Sequence, residues 1–229
     1  LALHEHVLEA AQDVRDLLLV VLVSGTGGAL IVNNELIRGS GGTAGEIGHV
    51  VVDSHGPQCR VCGATGCLRA VINDKFLVGE ARKRMGEGGL SSLAAYVRDH
   101  PAALDPQMVI NAANQGNQDA RSICLWSAEQ ASKAICSVAR TFDPQLVLIA
   151  LDVVDAEYML QDPIRELVDT GTIKLRANPL QVKFCEWNEA KFLSGAALSV
   201  IRESADPNTS VGDKLRRFLC PTSESPDET

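Results

Sequence analysis

"SGTGGALIVNNELIRGSGGTAGEIGHVVVDSHGPQCRVCGATGCL", residues 24–68, holds a glycine-rich turn, an apolar strand-sized run closing on two asparagines, a second glycine-rich loop, and then two histidines and three cysteines. The run "LLLVVLV" at 17–23 stands directly before it. Two apolar runs flanking a glycine cluster read as a β-hairpin, with Ser24–Gly28 as its turn and a polar exit after the asparagines. The opening stretch, "LALHEHVLEAAQDVRD", reads as a helix that starts without Met or a capping residue, as a piece of something longer would.

Beyond the cysteines the pattern turns helical. "AVINDKFLVGEARKRM", "SLAAYVRDH" and "DARSICLWSAEQASKAICSVARTF" each space apolar residues at three and four. The last is predicted to stop at Asp143–Pro144, because proline supplies no N–H and crowds the preceding turn. "QLVLIAL" follows as a buried strand, then a helix in "DPIRELVDT", a strand in "LQVKFCEW" and a closing helix in "NEAKFLSGAALSVIRES". Hairpin, helices, strand, helix, strand, helix is an α/β order, a mixed sheet flanked by helices. Residues 205–229 end in Pro, Ser and acid and are expected to form a flexible tail behind one lobe spanning 1–204.

Of 229 residues, 45% are hydrophobic but only 4% aromatic, so the core is expected to be aliphatic, as in helix-covered sheets. The net charge of −8 argues against a nucleic-acid surface on this chain, because phosphate contacts need clustered Lys and Arg. The same charge, with few aromatic platforms, argues against a zinc-ribbon nucleic-acid binder. No apolar run reaches membrane-spanning length and no signal peptide precedes the first strand, so a cytoplasmic protein without membrane contact is expected.

Four of the seven cysteines, Cys124, Cys136, Cys185 and Cys220, lie scattered, where a small buried hydrophobe is the expected role. Cys59, Cys62 and Cys67 are clustered, and the "GATG" between the last two allows the tight return that brings a third thiolate to one point. A disulfide does not suit a reducing compartment, and a lone reactive thiol needs no such partners. Three thiolates want a fourth ligand for tetrahedral Zn²⁺, and both His49 and His55 are in reach. Four protein ligands leave no open position, so the ion would staple the loop, about 49–69, rather than do chemistry.

Two further sites are candidates. Ser24, Gly25, Thr26 and Gly27 could cradle a phosphate with backbone N–H groups, or serve only as a hairpin turn. Glu46, between Gly45 and Gly48, could accept hydrogen bonds from polyol hydroxyls, or be a solvated loop glutamate.

These pieces in this order resemble the ROK family, which groups bacterial sugar kinases with sugar-responsive transcriptional repressors. The likeness extends to "FDPQLVLIA" and the closing "LSGAALSVI". It implies an actin-like, hexokinase-like (ribonuclease H-like) two-lobed fold, of which this chain resembles the C-terminal lobe. It implies His49, Cys59, Cys62 and Cys67 as zinc ligands, Glu46 as a sugar-hydroxyl acceptor, and His49 beside sugar as well as metal.

Departures from the family pattern bear on function. Two residues, Arg60 and Val61, stand between the first two cysteines where the family has one. Arg69 occupies the place of a sugar-binding glutamate, which should weaken neutral sugar binding or shift preference toward an anionic ligand such as a sugar phosphate. After "QLVLIA" the family carries a glycine pair near the nucleotide; here Ala150 and Leu151 stand there. The kinases' catalytic Asp lies in an Asp-x-Asn segment that would precede this sequence, as would the first phosphate loop. The resemblance therefore points to the effector-binding, oligomerising part of a ROK transcriptional regulator, a homodimer or homotetramer meeting DNA through an upstream winged helix-turn-helix. The alternative is the C-terminal lobe of a glucokinase-like sugar kinase that uses ATP and Mg²⁺.

Overall fold

A computed structural model describes residues 13–22, 25–72, 74–86, 104–151, 157–172, 179–187 and 189–204, with Ala2, Glu5, Ala11 and Ala94. The chain packs as two compact units, Asp13–Trp187 and Leu1–Gln12 with Asn188–Thr229.

In the larger unit, β1 (Leu17–Leu22) and β2 (Thr26–Val32) form the predicted hairpin, antiparallel with Leu22 opposite Thr26. The connection is tighter than Ser24–Gly28, because Thr26, Gly27 and Gly28 already lie in β2, paired with Leu22, Val21 and Val20. What reads as a polar exit is a third strand, β3 (Glu35–Ile37), antiparallel to β2. Asn33 and Asn34 turn the chain at φ 52° and 67°, the left-handed pair that a two-residue hairpin demands and that asparagine tolerates.

The helical stretch begins with a single turn, α1 (Leu68–Val71), and resumes as α2 (Asp74–Gly86), two elements where the sequence suggests one. "SLAAYVRDH" falls outside the described residues except for helical Ala94. The sequence reading passes over α3 (Pro106–Asn114), although Asp105 caps it by accepting from the Met108 N–H and Pro106 takes the first turn.

The long helix α4 (Gln118–Phe142) starts on the Asn117 cap and ends as predicted at Asp143, which adopts φ 48°. It buries Ile123, Ala128, Ala131, Ala134 and Ile135, mostly small residues that let its backbone lie close to its neighbours. Its buried serines bond back within the helix, Ser127 Oγ to the Ile123 carbonyl at 2.9 Å and Ser132 Oγ to that of Ala128 at 2.7 Å.

The central strand β4 (Leu146–Leu151) is buried throughout and runs parallel to β1 on one side and to β5 (Gln181–Glu186) on the other. Between them, after a π-helical turn at Glu157–Gln161, comes α5 (Asp162–Gly171). The five-stranded sheet has the order β3-β2-β1-β4-β5, mixed in direction, and is the expected actin-like, hexokinase-like architecture. Leu18, Val20, Leu30, Val147 and Ile149 share one core with Ile135 of α4 and with Ile164 and Val168 of α5. Ile149→Ala leaves a void at the centre of this layer and is expected to cost about 2–5 kcal/mol, read as a lower denaturant midpoint at unchanged slope.

The smaller unit contains helical Ala2 and Glu5 and the closing helix α6 (Glu189–Ser204). Glu5 is fully buried and pairs with Lys191 Nζ at 3.1 Å. The predicted opening helix does not reach its full length, since Asp13–Asp16 are non-helical. The expected tail, 205–229, lies outside the described residues. No helix of the described residues is long and apolar enough to cross a membrane.

Candidate metal centre

The second glycine-rich loop delivers Glu46 to a 3-10 turn, Ile47–His49, closed by the His49 N–H on the Glu46 carbonyl at 3.0 Å. Ile47 is buried in the sheet core, which fixes the turn and leaves His49 half-buried at its end. The chain next makes a β-like excursion and returns. Val51 bridges Cys67 and Gln58 bridges Thr65, so residues 52–66 form a closed loop. Backbone bonds tie its strands: Val52 N–H to the Gly66 carbonyl and Gly66 N–H to that of Pro57, both at 2.9 Å, and Cys59 N–H to that of Ala64 at 2.7 Å. At the exit, the Leu68 N–H donates to the Val50 carbonyl at 2.9 Å, docking α1 beside the histidine turn.

The closure brings His49, Cys59, Cys62 and Cys67 together, with one ligand atom from each lying within 4.8 Å of all the others. Cys59 Sγ is 3.8 Å from His49 Nδ1, and Cys62 Sγ is 3.5 Å from Cys67 Sγ. Zinc bonded at about 2.3 Å to sulfur and about 2.0 Å to nitrogen sets tetrahedral edges of about 3.5 Å from nitrogen to sulfur and about 3.8 Å between sulfurs, and each observed pair lies within about 0.3 Å of its edge. The donor set therefore fits a metal, soft enough for Zn²⁺.

The cysteines differ in setting. Cys59 and Cys67 are buried, and Cys62 is exposed. The backbone N–H groups of Cys62 and Val61 point at Cys59 and hold its thiol below the ordinary value despite burial. Burial, with the Cys62 thiol alongside, pushes Cys67 up to about 12. Both intervening residues, Arg60 and Val61, are exposed at the tip, and the cysteines on either side still reach one cluster. Of the scattered cysteines, Cys124 and Cys136 are buried as expected and Cys185 is half-buried; Cys220 is outside the described residues.

His55 is not brought to the cluster. Its N–H donates to Asp53 Oδ1 at 2.9 Å and its Nδ1 meets Ser54 Oγ at 3.1 Å, a local turn that keeps it exposed. Asp53 is a supporting residue that the sequence reading did not single out; the "DSHG" turn signal could have found it.

Arg69, on α1, reaches back across the turn and places Nη1 3.5 Å from His49 Nε2. Glu46 is exposed at the start of the same turn. Of the proposed phosphate cradle, Ser24 is outside the described residues and Gly25 is exposed, while Thr26 and Gly27 are engaged in the β1–β2 ladder.

Comparison with known proteins agrees with this architecture. The chain is 32% identical over 160 residues to an N-acetylmannosamine kinase of Salmonella heidelberg, covering 66% of this chain and 49% of that protein. It is 34% identical over 149 residues to the kinase of the same name from Salmonella newport, covering 65% and 45%. The chain thus spans about half the length of the curated relatives it matches. Among solved structures, a ROK family transcriptional regulator described as a homolog of the E. coli MLC protein superposes with a TM-score of 0.75 at 24% identity, over 86% of this chain and 48% of that one. A ROK family glucokinase from Streptomyces griseus, in complex with glucose and AMPPNP, gives 0.71 at 26% identity, over 86% and 64%. The ROK family profile itself matches residues 1–203. With sheet order, histidine turn and cysteine loop all in agreement, the chain belongs to the ROK family.

Proposed function

We propose that the chain is the effector-binding and oligomerising part of a ROK-type transcriptional regulator. Its carbohydrate pocket is bordered by Glu46, His49 and Arg69. Zinc on His49, Cys59, Cys62 and Cys67 holds that border in shape, and its contribution is structural. Glu46 accepts hydroxyl hydrogen bonds, and Arg69 brings a donor-only cation that favours a ligand with an anionic group. The acidic chain leaves DNA contact to a separate helix-turn-helix.

The end of β4 carries the regulator reading over the catalytic one. Ala150 and Leu151 are both buried there, and the Leu151 side chain belongs to the sheet core. Where ROK kinases need glycines for close approach of a nucleotide, this strand ends in packed side chains. The N-acetylmannosamine kinase relatives favour a second reading, the C-terminal lobe of an ATP- and Mg²⁺-dependent sugar kinase with phosphates at Ser24–Gly27.

Two assays on the full-length protein separate them. Titration calorimetry with neutral sugars, amino sugars and sugar phosphates is expected to find one ligand class. A phosphoryl-transfer assay with ATP, Mg²⁺ and the same sugars is expected to show no turnover. Turnover would establish the kinase reading, and silence in both assays would leave neither standing.

A further inference from the structure

The three cysteines of the loop are not equally sheltered. Cys59 and Cys67 are 2% and 0% exposed, whereas Cys62 stands at the tip in contact with solvent. Access decides which thiol an oxidant in solution meets first, and here it is Cys62. Its neighbour is a second thiol, Cys67, with the two Sγ atoms 3.5 Å apart. An accessible sulfur beside a second cysteine is the arrangement of a sensing thiol with its resolving partner.

Bonded sulfurs stand about 2.05 Å apart, so this pair has about 1.5 Å to close. The two sides are held differently. Cys67 is fixed: its carbonyl accepts from the Ala70 and Val71 N–H groups, and its Sγ lies 3.6 Å from the His49 carbonyl. Cys62 is preceded by the exposed Arg60 and Val61 and followed by Gly63, where an added Cβ would meet nothing within 4 Å. The tip therefore has room to bring the Cys62 sulfur inward without displacing packed side chains. Cys59 is less suited as the partner, since the N–H groups of Cys62 and Val61 are directed at its sulfur and His49 Nδ1 lies 3.8 Å from it.

We propose that Cys62 is an oxidation site, and that its bridging to Cys67 under peroxide is a reversible switch that empties the metal centre. The switch rests on the proposed metal site and adds regulation to it. Cys62 Sγ attacks one peroxide oxygen, the O–O bond breaks, the sulfur becomes a sulfenic acid and the other oxygen leaves as water. Cys67 Sγ then attacks the Cys62 sulfur, the S–O bond breaks and a second water leaves. The two sulfurs have lost two electrons and the peroxide has gained them. In metal-free protein the two protons come from the thiols; in loaded protein solvent supplies them as the ion departs. The bridge leaves only His49 and Cys59 of the tetrahedral set that zinc needs. The backbone bonds from Val52 to Gly66 and from Cys59 to Ala64 do not involve the sulfurs, so the loop keeps the frame on which reduction rebuilds the site. A bridge that forms only under oxidant differs from a standing disulfide, because in reduced protein the same sulfurs serve the metal.

The test uses the full-length protein, loaded with zinc and treated with hydrogen peroxide. Zinc release is followed with a coloured chelator, and bridges are located by peptide mass spectrometry. Release is expected to keep step with a Cys62–Cys67 bridge, at about one ion per bridge, and a phosphine reductant with added zinc should restore both thiols and metal. Cys62→His offers a nitrogen ligand in place of the accessible sulfur. It is expected to hold zinc and to release it at least about tenfold more slowly under the same peroxide. If that variant holds no zinc, the bridge found in the unmodified protein decides alone.

Zinc retained under peroxide, release with the bridge at Cys59–Cys62 or Cys59–Cys67, or release from Cys62→His at the unmodified rate overturns the switch while the metal site stands. A reduced, unmodified protein that binds no zinc overturns the metal site, and with it the switch as a means of emptying it.

Discussion

Cys67→Ala is expected to abolish metal binding, from about one zinc per chain to none, and to lower the unfolding temperature by roughly 8–16 °C. Cys67 is buried at the hinge of the site: its backbone caps α1, its carbonyl accepts from Ala70 and Val71, and its Sγ lies against Cys62 Sγ. Losing its thiol removes one ligand from the point where the return strand meets Val51, so the metal no longer ties that strand to Cys59 and His49. Loss of a structural metal belongs with the few substitutions that exceed about 4 kcal/mol, and in a chain of this size each kcal/mol moves the transition by about 2–4 °C. Cys62→Ala is the contrast. Cys62 is exposed, and its removal leaves three ligands with a position that water can take, as at catalytic zinc sites, so metal is held more weakly but not lost. Metal analysis and thermal scans with and without chelator check both variants. Chelator should depress the unmodified protein to the level of Cys67→Ala and leave that variant unmoved. A Cys67→Ala protein retaining one zinc and its full unfolding temperature would contradict the site.

The elements that sequence reveals here are those whose apolar pattern is dictated by burial. "LLLVVL" and "LVLIAL" become β1 and β4, the central parallel pair, because strands covered on both faces need no polar alternation. The long helix α4 is legible in its periodicity and its end in Asp143–Pro144. Short elements held by tertiary context are not legible in this way. β3 is three residues, one of them an exposed glutamate, and only the asparagine pair before it signals a hairpin. Glycine alone does not distinguish a turn from a strand lying close to another segment, so Ser24–Gly28 reads as one turn although its last three residues belong to β2.

The metal site divides similarly. Spacing finds the three cysteines, but the choice between His49 and His55 is made by the resemblance and then by the fold, which locks His55 into its own turn. The contact between Arg69 and His49 spans 20 positions and exists only because α1 docks beside the turn that carries His49. No local pattern encodes it.

Gly66→Ala should disable the site as thoroughly as loss of a ligand, with every ligand in place. Gly66 lies directly before Cys67 at φ +75°, where a Cβ is disfavoured in any surroundings. The surroundings forbid it as well: a Cβ at Gly66 would land on the Asp53 carbonyl, backbone against backbone, with no flexible side chain to give way. Gly66 also takes part in two of the cross-loop bonds, donating to Pro57 and accepting from Val52 at 2.9 Å each. Admitting a methyl group means parting these strands, and the Cys67 thiolate moves away from Cys59 and His49 with them. The expected result is loss of stoichiometric zinc and a fall in stability of about 4 kcal/mol or more, the combined range of an imposed clash, a strained φ and a lost metal. Gly63→Ala is the control. Gly63 also has positive φ, at +76°, but a Cβ there meets nothing within 4 Å. It should cost about 1 kcal/mol of backbone strain and keep its zinc. If Gly66→Ala and Gly63→Ala bind zinc equally well, closure of the loop by its backbone is not what assembles the four ligands.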